Sequence, residues 1–401
     1  MVIWRALYQG ESPTVAETKN PKILIFMMAI GNGHKIPAQS VQTALQEEYP
    51  LIETRVVESA LEVGLESYEK PLLSAWRFCL KHPLPLQMIY SLTRSQFRLV
   101  SVVDALASRR LAPRIAELLE REKPDLVFCT HPTAANIIGR MKKKKSLPFP
   151  TVVLVTDAFE AHAIWLAGLC DSYIFYDKDR AQNLLAAGVR EDQIAFMEFP
   201  LRQAFTQGSS NRGRTAAAHA SKTRITVTMV FGGEGHGQAE KQVLALLEAD
   251  LDLDLMVLCG KNETLKARLD ELCAGRTNRR THLFTRGYVD TMQDYIAATD
   301  LSMGKSGISF TFETLFYNKP FLITQTMANE AGCRDFVLQH RVGWYAPRVR
   351  EQVATLRAIT ADRGILVEYG ENCRRLGIRN GASSIADFLA SQASARAGSS
   401  A

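Results

Sequence analysis

The hydrophobic pattern of the chain consists of short apolar runs that end in glycine turns and are followed by helical periodicity. The run Lys22–Ile30 is apolar after its first residue, which is typical of a strand buried on both faces of a sheet. The turn Gly31–His34 follows, and a helical pattern covers Pro37–Glu48. Strand, turn and helix in this order predict a unit of a parallel, doubly wound sheet.

The same pattern returns along the chain, and it restarts after a small, polar, basic segment at Gly208–Lys222. Such a composition is typical of a linker. Other apolar runs predict strands at Leu126–Thr130, Thr151–Thr156, Ser172–Tyr176, Arg224–Phe231, Leu255–Cys259, His282–Thr285, Leu301–Gly304 and Pro320–Thr324. We therefore predict the α/β class, with two Rossmann-like domains that face each other across a cleft. The predicted divisions are an extension (1–20), a first domain (21–205), a linker (206–222), a second domain (223–382), and a terminal helix with a flexible tail from Ser391 (383–401).

Composition narrows the class of protein without identifying it. A chain of 401 residues is long enough for two domains. The net charge of +6 suits an anionic substrate or lipid surface but is too small to indicate nucleic acid. No apolar stretch reaches the roughly 18–20 residues of a membrane span, and residues 1–20 lack the pattern of a secretory signal. Seven cysteines without a C-x-x-C pair indicate reduced thiols, so we expect a cytoplasmic protein.

The stretch Glu66–Arg110 departs from the alternating pattern. It mixes aromatic residues with seven cations and only three acidic residues. Two interpretations are open: a helical insertion with a solvated basic face, or an interfacial patch whose aromatics and cations meet anionic lipid headgroups. For the second interpretation, Trp76, Arg94 and Arg98 are the candidate contacts.

Three glycine turns follow predicted parallel strands, at Gly31–Gly33, Gly232–Gly237 and Gly304–Ser309. Turns of this kind lie at the carboxyl edge of the sheet, where their N–H groups can approach a diphosphate. His34 closes the first turn at a helix start, where a neutral imidazole could accept a proton or simply bond its own backbone. Asp157 follows a strand at the same edge, as a site residue or a helix cap. No cluster of His, Cys, Asp or Glu has the spacing of a metal site.

Taken together, these motifs resemble the monogalactosyldiacylglycerol synthase and processive diacylglycerol glucosyltransferase family. More distantly, they are similar to the bacterial enzyme that adds N-acetylglucosamine to the peptidoglycan precursor. Gly31–His34 stands where the family has Gly-Gly-Gly-His, and Lys305–Glu313 matches its Lys-Ala-Gly-Pro-Gly-Thr-x-x-Glu. Further matching residues occur in the same order, at Thr156-Asp157, His162, Trp165, Phe199–Phe205, Gly232–Gly237, Gly287–Met292 and Asn329–Cys333.

The resemblance implies a glycosyltransferase of the GT-B type, with a UDP-sugar in the second domain and the acceptor in the first. It implies inverting transfer of a hexose to diacylglycerol or a related lipid, without a metal or other cofactor, by a protein bound peripherally to the inner face of an anionic membrane. By the same resemblance, His34 is the leading candidate base and Asp157 a second catalytic candidate. The implied donor-site residues are Arg202, Gly232, Gly233, Glu234, Gly235, Val289, Gly307, Ile308, Ser309, Glu313, Asn329 and Glu330. The implied acceptor residues are Gly33, His131, His162 and Trp165, and the candidate membrane residues, taken from the Glu66–Arg110 stretch itself, are Trp76, Arg94 and Arg98.

Within the donor site, the resemblance assigns Glu313 to the ribose hydroxyls, Arg202 to the diphosphate, and Asn329 and Glu330 to the sugar. The sequence departs from the family pattern at Ile308-Ser309 (Pro-Gly in the family), at Asn329 (Gln) and at Cys333 (Asn). These departures leave the donor sugar open among glucose, galactose and N-acetylglucosamine.

Two alternatives to a glycolipid glycosyltransferase also stay open. One is another UDP-sugar enzyme of the same fold, such as a soluble glycosyltransferase or a UDP-N-acetylglucosamine 2-epimerase, which we expect to bury the Glu66–Arg110 insertion. The other is a nucleotide-sugar-binding or membrane-docking protein that has lost catalysis.

Overall fold

The computed structural model describes residues 20–28, 32–59, 62, 74, 78, 83–157, 159–207, 224–231, 239–274 and 280–398. These residues form two parallel sheets of six strands. The first sheet, in the order β2-β1-β3-β4-β5-β6, is built from β1 (Lys22–Met27), β2 (Glu53–Glu58), β3 (Leu126–Cys129), β4 (Thr151–Leu154), β5 (Ser172–Phe175) and β6 (Ile194–Phe196). The second, in the order β12-β11-β10-β7-β8-β9, is built from β7 (Ile225–Val230), β8 (Leu253–Leu258), β9 (His282–Arg286), β10 (Leu301–Lys305), β11 (Phe321–Gln325) and β12 (Gly343–Tyr345).

Helices surround both sheets. Those of the first half are α1 (Asn32–Glu48), α2 (Pro83–Thr93), α3 (Phe97–Ala107), α4 (Leu111–Glu122), α5 (Pro132–Lys144), α6 (Gln182–Ala186) and α7 (Gln203–Gln207). Those of the second half are α8 (Ala239–Ala249), α9 (Glu263–Ala274), α10 (Met292–Ala298), α11 (Ile308–Phe316), α12 (Ala331–Gln339), α13 (Val349–Ala361), α14 (Gly364–Leu376) and α15 (Ala382–Gly398). Short 3-10 turns lie at Ala163–Leu166, Lys178–Arg180, Glu191–Gln193 and Ala328–Glu330.

The apolar runs are buried on both faces, as the sequence predicts. In β1, Ile23 and Ile25 join the core on one side of the sheet, while Leu24 and Phe26 join the core on the other. All four are 0% exposed. Alternating side chains reach opposite faces of a strand, so an uninterrupted apolar run requires helices on both sides.

Each sheet has a point where the strand order reverses. In the first sheet it lies between β1 and β3, and in the second between β7 and β10. Ligands of doubly wound folds bind at such switch points, beyond the carboxyl ends of the strands. The two switch points therefore indicate where each domain binds its ligand, and they confirm the predicted α/β architecture with two Rossmann-like sheets.

A buried aromatic cluster joins the two halves. The Phe312 ring of α11 stacks on Phe199 with centroids 4.7 Å apart and on Phe159 with centroids 5.6 Å apart. Phe159 in turn stacks on Phe336 of α12 at 4.2 Å. Stacked rings in this range contribute attraction beyond their buried area. The cluster fixes the approach of α11 to the first domain.

Several predicted boundaries were wrong. Helix α1 begins at Asn32 rather than Pro37, so His34 lies inside its first turn. The chain from Ser391 to Gly398 is helical and not a flexible tail, because α15 packs Ile385, Leu389 and Ala393 against the first sheet. Residues 208–222 of the predicted linker and residues 1–19 of the predicted extension lie outside the described residues.

Candidate active site

His34 lies at the switch point of the first sheet and is held by two threonines. Its Nδ1 is 2.8 Å from the Thr130 carbonyl oxygen and 2.9 Å from Thr156 Oγ1. A carbonyl oxygen can only accept, so Nδ1 carries the proton and donates it. Nε2 then keeps its lone pair, and no described residue bonds it. The Thr130 hydroxyl also donates to the His34 carbonyl at 2.9 Å, which anchors the first turn of α1.

The surroundings of His34 keep it neutral. Burial lowers its pKa to about 4, and the bond to Thr130 opposes this only in part. The His131 ring stands edge-on to His34 with centroids 4.7 Å apart, and Trp165 lies 6.0 Å away. Near neutral pH the arrangement therefore presents an unprotonated imidazole nitrogen, as a general base requires.

His131 also has a structural role as the N-cap of α5. Its Nδ1 accepts from the Thr133 N–H at 3.3 Å. Burial lowers its pKa well below the usual value, and the neighbouring His34 adds to this shift. Both histidines at this sheet edge are therefore neutral, and His131 packs against the candidate base.

Asp157 lies in the cleft and is bonded by two side chains. Its Oδ2 accepts from the Tyr90 hydroxyl at 2.6 Å and from Trp165 Nε1 at 2.8 Å. Burial raises its pKa to about 6, while the bonds from Tyr90 and Trp165 lower it. The carboxylate lines a small pocket that also touches Asn329 and Cys333 of the second domain. Asp157 therefore faces both domains and does not merely cap a helix.

On the opposite side of the cleft, the first turn of α11 lies against Gly33, the residue before His34. Gly307 is its N-cap, and the Ile308 side chain comes so close to Gly33 that a Cβ there would lie 3.2 Å from Ile308 Cγ2. The first turn of a helix leaves backbone N–H groups without intrahelical partners and carries partial positive charge. The first turn of α11 and the turn that carries the candidate base are thus brought together.

Among the donor-site candidates, two buried polar atoms lack a partner within the described residues. They are Ser309 Oγ, in a residue 6% exposed, and Asn329 Oδ1. Buried polar atoms are nearly always hydrogen-bonded, so each of these two atoms is a candidate contact for a ligand or water. Ser309 and Asn329 are both positions at which the sequence departs from the family pattern.

The charged donor-site candidates are paired with protein groups. Glu313 Oε1 accepts from Arg202 Nη2 at 2.8 Å and from Nε at 3.1 Å. Burial raises the Glu313 pKa, and Arg202 opposes this. Glu330 forms an ion pair with Lys305 and accepts from the Met327 N–H at 3.2 Å. The family resemblance assigns Arg202 to the diphosphate and Glu313 to the ribose. It does not anticipate that these two side chains bond each other.

Of the remaining donor-site candidates, the structure describes some and leaves others outside its described residues. Val289 is half-buried just after β9, beside the exposed Tyr288, over whose ring Lys261 Nζ lies at 5.7 Å. Gly232, Gly233, Glu234, Gly235 and the membrane candidate Trp76 lie outside the described residues.

His162 holds helix α2 in place. Its Nδ1 accepts from the Ile164 N–H at 3.1 Å, which leaves Nε2–H to donate to the Tyr90 carbonyl at 3.2 Å. Burial lowers the His162 pKa to about 4. Arg94, predicted to face lipid, is exposed and forms an ion pair with Glu160, and Arg98 is also exposed. His162 and Arg94 thus fasten the insertion to the first domain.

Helices α2 and α3 each expose a set of aliphatic side chains, and the two sets together are here named the apolar face. Each of them is 55–72% exposed. They are Leu84, Met88, Ile89 and Leu92 on α2, and Leu99, Val102, Val103 and Leu106 on α3. Their spacing places each set on one side of its helix. In its described part, the insertion is exposed, and its surface is more aliphatic than the predicted basic-aromatic patch.

The predictions from sequence assign no individual role to four residues of this site: Tyr90, Thr130, Thr156 and Lys305. Thr130 directly follows β3, and Thr156 lies two residues after the neighbouring strand β4, so the carboxyl ends of these two strands were a usable signal. Lys305 stands within the third glycine motif. Tyr90 gave no such signal, because its contact with Asp157 depends on how α2 docks.

Comparison with known proteins identifies the relatives of this chain. Residues 34–200 match the family described as monogalactosyldiacylglycerol (MGDG) synthase. The processive diacylglycerol beta-glucosyltransferase of Staphylococcus carnosus is 23% identical over 90% of this chain and 90% of its own length. The chloroplastic monogalactosyldiacylglycerol synthase of Spinacia oleracea is 24% identical over 85% of this chain and 66% of its own length.

Among solved structures, MurG of Acinetobacter baumannii matches with a TM-score of 0.63 at 11% identity, covering 92% of this chain and 99% of that one. This likeness confirms the GT-B fold. The predicted relationship is confirmed as well: the chain is related to the monogalactosyldiacylglycerol synthases and the diacylglycerol glucosyltransferases. Within the described ranges, no helix is both long and apolar enough to cross a bilayer.

Proposed function

We propose that this relative of the monogalactosyldiacylglycerol synthases transfers a hexose from a UDP-sugar to the hydroxyl of diacylglycerol or a related lipid, inverting the anomeric carbon. The observation that carries the proposal is the meeting of two groups across the cleft. A neutral His34 with a free Nε2 lies beside Gly33, and Gly33 contacts Ile308 in the first turn of α11. A proton acceptor and an anion-binding helix end are the two parts that such a transfer needs.

In the proposed reaction, the lipid hydroxyl gives its proton to His34 Nε2 as its oxygen attacks the anomeric carbon. The bond from that carbon to the diphosphate oxygen breaks, and UDP leaves with one more negative charge. The N-terminus of α11 and the unpartnered Ser309 hydroxyl are suited to receive that charge. The Thr130 carbonyl keeps Nδ1–H in place and stabilises the imidazolium that forms. Asp157, ionised above about pH 6, is the second candidate to hold a proton.

A lipid acceptor fits the outer surface of the first domain. The apolar face of α2 and α3 leaves eight aliphatic side chains in water, an arrangement that soluble proteins rarely keep unless it binds something. Arg98, Arg109 and Arg110 are exposed on or just after α3, where they suit anionic headgroups. The proposed location is therefore peripheral, on the inner face of an anionic membrane. A soluble enzyme of the same fold has no evident use for this face.

The direct test is to incubate the purified protein with labelled UDP-glucose, UDP-galactose or UDP-N-acetylglucosamine and vesicles containing diacylglycerol. We expect one donor to give a labelled glycolipid. Label that appears only in a water-soluble product would favour a soluble acceptor, and no turnover of any donor would contradict the proposal.

Replacing Glu313 by alanine should weaken UDP binding. The loss of a hydrogen bond to a charged group costs roughly 1.5–3 kcal/mol, or about ten- to a hundredfold in affinity. Calorimetry with UDP measures it. Glu351→Ala on α13 is the matched control, since it removes another glutamate paired with an arginine (Arg348, 3.1 Å), but on the surface. If Glu313 only neutralises Arg202, then Glu313→Ala and the Arg202→Ala/Glu313→Ala double variant will differ from wild type only in stability.

Transfer should also continue in excess EDTA, because the described residues contain no group of three potential metal ligands. Turnover measured before and after chelation tests this. Abolition by EDTA with recovery on adding manganese would overturn the metal-free mechanism.

A further inference from the structure

Helix α2 is attached to the segment that carries Asp157. The Tyr90 hydroxyl donates to Asp157 at 2.6 Å, and the Tyr90 carbonyl accepts from His162. The Tyr90 ring stacks on His162 with centroids 3.9 Å apart. Arg94 pairs with Glu160, and its carbonyl accepts from the Ala163 N–H at 3.0 Å. The helix that bears the apolar face is therefore fixed to the cleft carboxylate.

We propose that Tyr90 is a positioning residue for Asp157, through which the seating of α2 controls the orientation and ionisation of this carboxylate. The bonds from Tyr90 and from Trp165 both end on Oδ2 of Asp157. Two donors on one oxygen fix the rotation of the carboxylate and leave Oδ1 turned away from them. Only the activity measurement of this inference rests on the proposed function.

The position of α2 connects this contact to both the cleft and the outer surface of the protein. Its outer side is the apolar face, and its inner side touches both Asp157 of the first domain and the turn Ala328–Glu330 of the second. A helix that meets both sides of the cleft and an external surface can transmit binding at that surface to the cleft. Tyr90 is the residue of α2 that bonds a candidate catalytic group directly.

Several groups set the charge of Asp157. Burial raises its pKa to about 6 and the neighbouring Glu160 adds to this, while bonds from Tyr90, Trp165 and Asn329 lower it. Arg94 faces Glu160, and the buried Cys333 thiol faces Asp157 from α12. The Tyr90 pKa is raised well above its usual value by burial, so its hydroxyl stays protonated and donates. Removing that hydroxyl should raise the Asp157 pKa further.

The test uses Tyr90→Phe and the indole nitrogen of Trp165 as the reporter. Protein labelled with 15N-tryptophan has four indole groups, and Trp165→Phe assigns the one that donates to Asp157. In the wild type, we expect this resonance to titrate with a midpoint near pH 6. In Tyr90→Phe, the midpoint should rise by about one pH unit, the effect of one hydrogen bond to a charged group.

Two further variants make the outcome decisive. Tyr49→Phe is the matched control, because the Tyr49 hydroxyl also donates to an aspartate at 2.6 Å, namely Asp387 on the surface of α15. It should leave the Trp165 midpoint unchanged. Asp157→Asn should abolish the titration. A midpoint unchanged in Tyr90→Phe, or a titration that persists in Asp157→Asn, would overturn the proposal.

The pH dependence of activity is a second test of the role of Tyr90. Because the ionised carboxylate is lost as pH falls through its pKa, a higher pKa moves the acid limb of kcat to higher pH. Tyr90→Phe should therefore shift that limb upward by about the same one unit, with KM for the donor unchanged. If the wild type transfers no sugar, the proposed function fails, while the Trp165 titration still decides the role of Tyr90.

Discussion

His34→Ala is expected to lower turnover by about a hundredfold or more while leaving the affinity for UDP unchanged. A positioned general base typically contributes about 10²–10⁴-fold. In this protein the base is prepared by its surroundings, since Thr130 fixes the proton on Nδ1 and burial holds the imidazole neutral with a pKa of about 4. UDP binding should survive because the nucleotide is proposed to lie on the second domain.

Turnover is measured with diacylglycerol vesicles, and the affinity for UDP is measured by calorimetry. His282→Ala is a suitable control, because His282 is an exposed histidine at the start of β9, the sheet end away from the ligand turns. A fall in kcat without a change in UDP affinity supports the role of His34 as base. Wild-type turnover in His34→Ala would remove it from the mechanism, and Asp157 would become the leading candidate.

The strands in the middle of each sheet could be predicted from the sequence, whereas three strands at sheet edges could not. The missed strands are β2, β6 and β12. An inner strand is covered by helices on both faces, so its sequence is a continuous apolar run. An edge strand can be partly exposed, so its sequence can lack such a run. In β2, the first four residues are exposed or half-buried, and β6 and β12 have only three residues each. Such segments lack the hydrophobic signal on which the prediction depends.

The site could be predicted only where its chemistry is local. His34 belongs to a turn that follows its strand directly, so its place at the sheet edge was readable. The Arg202–Glu313 pair joins residues 111 positions apart, and the Tyr90–Asp157 bond joins residues 67 apart. Both depend on how helices dock, which no local pattern specifies.

The insertion shows how periodicity can matter more than composition. Its aromatics and cations suggested a basic-aromatic patch, but Tyr90 is turned to Asp157 and Phe97 packs against the small cluster formed by Val100, Ala163 and Ala167. The exposed side is aliphatic because the leucines, isoleucine, valines and methionine recur at helical spacing. Counting residue types could not distinguish these two sides of the same helices.

Replacing Leu92 and Leu106 by aspartate is expected to reduce vesicle binding by more than about a hundredfold. Burying one such side chain is worth roughly 1.5–3 kcal/mol, so the loss of two exceeds about 2.7 kcal/mol even at the lower end, before the cost of the new charges. These residues are 72% and 67% exposed, so the folded protein should tolerate the change. Flotation with vesicles containing anionic lipid measures binding, and thermal unfolding checks the fold.

Val367→Asp is the matched control, because Val367 is 59% exposed on α14, outside the apolar face.

Arg98→Glu tests the electrostatic part of vesicle binding. It is a cleaner change than reversal of Arg94, which would place a second carboxylate beside Glu160. It should weaken binding at low salt and have less effect as salt screens the surface. UDP affinity should stay unchanged in all three variants. If the wild type does not associate with vesicles at low salt, or the double aspartate variant binds as well as wild type, the apolar face does not dock on lipid. A soluble acceptor would then replace diacylglycerol as the substrate to test.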